Sequence, residues 1–158
     1  ICALLGFTRI HILKLDVKQA LAYHQLAAKQ MASNNSDSLS FVFGLNRALL
    51  DVLSGNSTDR LEKYVNETPK NVEDLLIAYE WRIELRVGEG AFLDASDLLD
   101  QAFSLLQFYP EGKHEKFRIS YLLQKADLLF VTSEIKQALN VYESEVYPIL
   151  KNRKEGWA

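Results

Sequence analysis

Three aspartates, Asp94, Asp97 and Asp100, recur at intervals of three in the stretch from Phe92 to Tyr109. A row of carboxylates could hold a metal ion or move protons, but at the start of a helix the same residues relieve the positive end of the helix dipole, and that structural role is the expectation here. His11 and His24 read as facing one another across a hairpin. With no cysteine or acidic ligand at metal spacing beside them, they are expected to be packing or surface histidines. Cys2 is the only cysteine, which excludes an intramolecular disulfide and a cysteine-based zinc cluster. With no basic neighbour in the sequence to mark it as reactive, it reads as a small core residue. The chain carries no glycine-rich phosphate loop, no GxSxG elbow and no HExxH helix, and the expectation is a protein without catalytic, metal-binding or cofactor-binding residues. Trp81, Arg82 and Arg86 fall off the apolar stripe of their segment. Tryptophan and arginine are what interface hot spots are made of, so these three are the candidate protein interface, with packing of Trp81 against a neighbouring repeat as the alternative.

The elements that would position these residues are helical throughout. Apolar residues at Leu4, Leu5, Ile12 and Leu15, with Thr8 and His11 on or near the same face, give a first helix over 1–15. Asp16 caps a second, whose inner face is Val17, Ala20, Leu21, Ala27 and Met31 with Tyr23 and His24 at its margin. The polar run 33–38 reads as a connection ending in an N-cap, followed by a third helix marked by Leu39, Phe43, Leu49, Leu50 and Leu53 and stopped by Gly55. From Gly55 to Asn71 the pattern weakens. Leu61, Tyr64 and Val65 allow a short helix before Pro69, and this is expected to be the most irregular segment. Asn71 caps a helix with Val72, Leu75, Leu76, Tyr79, Ile83 and Val87 on one stripe, ended by Gly88 and Gly90. The next helix, from about Phe92 to Tyr109, turns Ala95, Leu98, Leu99, Ala102, Leu105 and Leu106 inward. Pro110 and the Glu111-Gly112-Lys113 loop then lead to RISYLLQKADLLF, the break VTSE, and IKQALNVYESEVYPIL.

Those last two helices are joined by too few residues to do anything but fold back. Ala126 stands where the first crosses the second, and Ala138 and Tyr142 answer from the second. A small residue, an alanine twelve residues later and an aromatic four beyond it form the packing pattern of a tetratricopeptide repeat. Ala20 and Ala95 take the role of Ala138 in earlier hairpins, at separations of 75 and 43 residues. If the first gap holds two repeats, the period exceeds the ideal of about 34 residues. The expected fold is therefore all-α: degenerate tetratricopeptide-like antiparallel helix pairs, seven or eight helices in all, forming a segment of a right-handed superhelix. The 158 residues read as one helical-repeat domain.

Composition sets limits on partners. A formal charge of −3 supplies no basic field for phosphate backbones, so nucleic acid is not an expected partner. The basic cluster Lys151, Arg153 and Lys154 reads as a helix C-terminus complementing its own dipole. No run approaches the ~20 apolar residues of a membrane span, so no membrane partner is expected. The opening ICALLGF is broken by Arg9, His11 and Lys14 before a signal-peptide core could end. The chain is expected to be a fragment from the middle of a longer protein, with Trp157 belonging to the start of a further repeat. Sequons at Asn34, Asn56 and Asn66 are read as chance triplets of polar connections.

Three stretches together resemble the tetratricopeptide region of the fifth-subunit family of the anaphase-promoting complex. They are ALAYHQLAAKQMASNNSDSLSFVFGLNRALLDV, EKFRISYLLQKADLLF and IKQALNVYESEVYPILKNRKEGWA. The likeness spans most of the chain and departs between Asn56 and Pro69. It implies a non-catalytic scaffold subunit of a mitotic ubiquitin ligase, found in nucleus and cytoplasm, lying against the first, fourth and fifteenth subunits while cullin and RING-type subunits carry ubiquitin transfer. The alternatives are another helical-repeat adaptor that binds a peptide in its concave groove, or an enzyme whose pocket gathers the histidines and aspartates the sequence keeps apart.

The alanine register carries its own test. Ala138→Leu is expected to overpack a helix crossing, at typically ~1–3 kcal/mol, whereas Ala28→Leu lies off the inner stripe. Thermal melts of the two variants check this, with the larger loss of Tm expected for Ala138→Leu.

Overall fold

The computed structural model describes residues 1–34, 39–109 and 115–155. Every regular element among them is helical. The chain divides into two compact units, Ile1–Lys70 and Asn71–Ala158, and each is described by itself.

The first unit holds α1 (Cys2–Leu13), α2 (Val17–Asn34), α3 (Ser40–Leu53) and α4 (Asp59–Glu67). The pairs α1/α2 and α3/α4 pack as hairpins, and α3 also packs on both members of the first pair. Leu5, Thr8 and Ile12 form the buried stripe of α1, and Ala20, His24 and Ala27 that of α2. The short helix that the sequence allows before Pro69 is α4, nine residues long, which buries Leu61 and Val65 at helical spacing. It approaches α3 closely. The Tyr64 hydroxyl donates to the Phe41 carbonyl at 3.1 Å, and its ring lies over Gly44, where an added Cβ would stand 2.2 Å from that hydroxyl. Only a hydrogen at position 44 leaves room for the tyrosine.

The second unit holds α5 (Val72–Gly88), α6 (Phe92–Leu106), α7 (Glu115–Val131), α8 (Ile135–Val141), a π-helical segment (Tyr142–Val146) and α9 (Tyr147–Glu155). Asn71 caps α5 as the sequence predicts, its side chain accepting from the Asp74 N–H at 2.9 Å. Leu76, Ile83, Ala95, Leu98, Leu99, Ala102 and Leu106 form a core completed by Phe117, Tyr121 and Leu128 of α7. A polar seam runs along the same contact of α5 with α7. Lys116 pairs with Glu73 at 2.8 Å, the Tyr121 hydroxyl donates to the Leu76 carbonyl at 2.6 Å, and Gln124 Nε2 donates to the Glu80 carbonyl at 2.9 Å. Tyr121 is fully buried, and that burial raises its phenol pKa and keeps the hydroxyl a donor at any physiological pH.

One turn closes each of the pairs α1/α2, α3/α4, α5/α6 and α7/α8. Two residues beyond the first helix of each pair, Leu15, Gly55, Gly90 and Ser133 have φ of 57°, 89°, 75° and 69°. In each case the next residue's N–H reaches back five residues to a helix carbonyl: Asp16 to His11, Asn56 to Asp51, Ala91 to Arg86 and Glu134 to Leu129, at 2.7–3.1 Å. The left-handed residue itself donates three residues back. This is the Schellman arrangement, which satisfies the last carbonyls of a helix and reverses the chain. It also corrects one sequence expectation. Leu15 is not part of the inner face of α1, because the helix ends at Leu13 and Leu15 occupies the left-handed position, 72% exposed. The end of α5 falls where the sequence places it, with Gly88 its last residue and Gly90 making the turn.

Within the second unit the register is constant. The ends of α5 and α7, the starts of α6 and α8, and the left-handed residues Gly90 and Ser133 are each 43 residues apart. The repeat-packing residues are buried: Ala20, Ala95 and Ala126 show no exposed surface and Ala138 shows 3%, while Tyr142 lies at the surface, its hydroxyl donating to Asp127 at 2.9 Å.

An L-residue in the left-handed region costs about 1 kcal/mol, and an added Cβ at Gly90 would meet nothing within 4 Å. Ser133→Gly is therefore expected to stabilise the second unit by about that amount and Gly90→Ser to destabilise it equally. Denaturant unfolding of the two variants, with opposite shifts in midpoint, checks it.

Candidate interaction surfaces

The candidate interface residues lie on α5. Trp81, Arg82 and Arg86 are each half-buried. The Arg82 guanidinium stacks over the Tyr79 ring at 5.1 Å from its centroid, and Arg86 pairs with Glu89 just past the helix end. The fold gives both arginines partners close by in the chain, Tyr79 on the same helix and Glu89 just past it, and the Trp81 indole nitrogen is shielded from water.

The histidines do not form a facing pair. His11 stacks on Tyr23 and lies 3.4 Å from Asp16, whereas His24 stacks on Phe43 of α3 with ring centroids 4.2 Å apart. His24 was expected at the margin of α2 and is instead 4% exposed. Its spacing of four from Ala20 and three to Ala27 places it in the middle of the buried stripe, a signal the sequence already holds. Asn46 of α3 is 1% exposed, its Nδ2 donating to the Leu5 carbonyl at 3.3 Å. Burial lowers the His24 pKa, the nearby Arg47 lowers it further, and Asp51 opposes both.

Cys2 is exposed, against the expectation of a core residue. It is the first residue of α1 and stands one position around from the buried stripe of Leu5, Thr8 and Ile12. Asp94, Asp97 and Asp100 all point to solvent from α6. Among the described residues no group of three histidine, cysteine or acidic side chains could hold a metal ion, and no helix is long and apolar enough to cross a membrane. The 33–38 connection, the Pro110 to Lys113 loop, Arg153, Lys154 and Trp157 lie in whole or part outside the described residues or side chains.

An apolar surface lies at the end of the second unit. Phe130, Ile135, Leu139, Tyr147 and Leu150 are between 42% and 62% exposed. Tyr142, Glu143, Val146, Tyr147 and Leu150 line an almost wholly apolar groove of about 420 Å³. The signal was present as apolar residues that fit no single stripe of the last helix, and the π-helical segment that divides them has no signature in residue type. No protein-family model, curated protein or solved structure matches the chain.

The geometry of His24 fixes a pH dependence. Its folded pKa lies below its unfolded value, so the unfolded chain takes up a proton first. The stability of the first unit is complete above about pH 6.5 and falls as the pH drops through the folded pKa. His24→Gln is expected to flatten that part of the stability profile, read from denaturant midpoints between pH 7 and pH 5.

Proposed function

We propose that this chain is a non-catalytic scaffold built of tetratricopeptide-like helix pairs, working by surface contact within a multi-subunit assembly. The observation that carries this reading is the recurrence of one hairpin. Four helix pairs close on the same left-handed turn, and in the second unit two pairs repeat at a fixed 43-residue register with the first helix of one stacked on the first helix of the other. Repeats of this kind stack into a right-handed superhelix in which each pair contacts only its neighbours, and they present long surfaces to partners. The three stretches that resemble the fifth-subunit family of the anaphase-promoting complex give the assembly its proposed identity: a mitotic ubiquitin ligase, with the first, fourth and fifteenth subunits as partners and Trp81, Arg82 and Arg86 as contact residues.

Co-expression with those three subunits and affinity purification through a tag on this chain tests the assignment. Stoichiometric recovery of the partners is expected. Trp81→Ala, or Arg82→Glu with Arg86→Glu, is expected to weaken association by roughly thirtyfold, the equivalent of a hot spot of about 2 kcal/mol. Failure of the wild-type chain to recover any of the three subunits would overturn the assignment.

A further inference from the structure

We draw no further inference here: the strongest candidate, the apolar groove on the last helix of the second unit lined by Tyr142, Val146, Tyr147 and Leu150, is an unpartnered face and nothing in the structure shows what covers it.

Discussion

The constraint on which each hairpin depends is the distance of closest approach between its two helices, set by where the chain is forced to turn. Seven residues before the left-handed position stand Thr8, Ala48, Ile83 and Ala126, each almost fully buried. In three of the four hairpins, five residues after that position stands an alanine, Ala20, Ala95 or Ala138. The turn is three residues long in those cases, so the second helix begins at once and its fourth residue is driven against the first helix. A methyl group is what fits there, since a larger side chain would have to displace a backbone already held by the turn's hydrogen bonds.

The exception follows the same logic. Between α3 and α4 the connection is five residues long, running over 54–58, and position 60, five beyond the turn, is Arg60, which reaches out to pair with Asp51 at 2.6 Å. The close approach is kept by moving the small residue to the other helix, where Gly44 lies under the Tyr64 ring. Burial, turn and small residue therefore act as one unit, and a change in one is met by a change in another.

How much of this the residues announce depends on whether the chemistry is specific to the role. The alanines are legible because an alanine recurring inside a stripe of larger apolar residues marks a place where two backbones come close, and Asn71 is legible because its side chain can cap a helix in few other positions. Gly55 and Gly90 announce their turns. Leu15 and Ser133 do not, since L-residues seldom take a positive φ, and only their fixed place before Ala20 and Ala138 gives them away. For His24 the residue type misleads where the spacing does not: a polar ring stacked on Phe43 occupies a core position. The groove is hidden in the sequence because Tyr142, Tyr147 and Leu150 share a face only once the helix has been widened between them, and that widening is a property of backbone hydrogen bonding that no residue type declares.

The π-helical segment makes chain length itself carry information. Each residue of an α-helix advances the face by about 100°, so the extra residue absorbed between Tyr142 and Val146 acts as a phase correction for everything downstream. Loss of one codon there would restore the unbroken α-helix that α6 already is, and Tyr147 and Leu150 would keep the face they now hold. The same loss between Tyr147 and Leu150, beyond the widened turn, would put Lys151 in the place of Leu150 and set a charge in an aliphatic wall. What a deletion does to this surface therefore depends on where along one helix it falls.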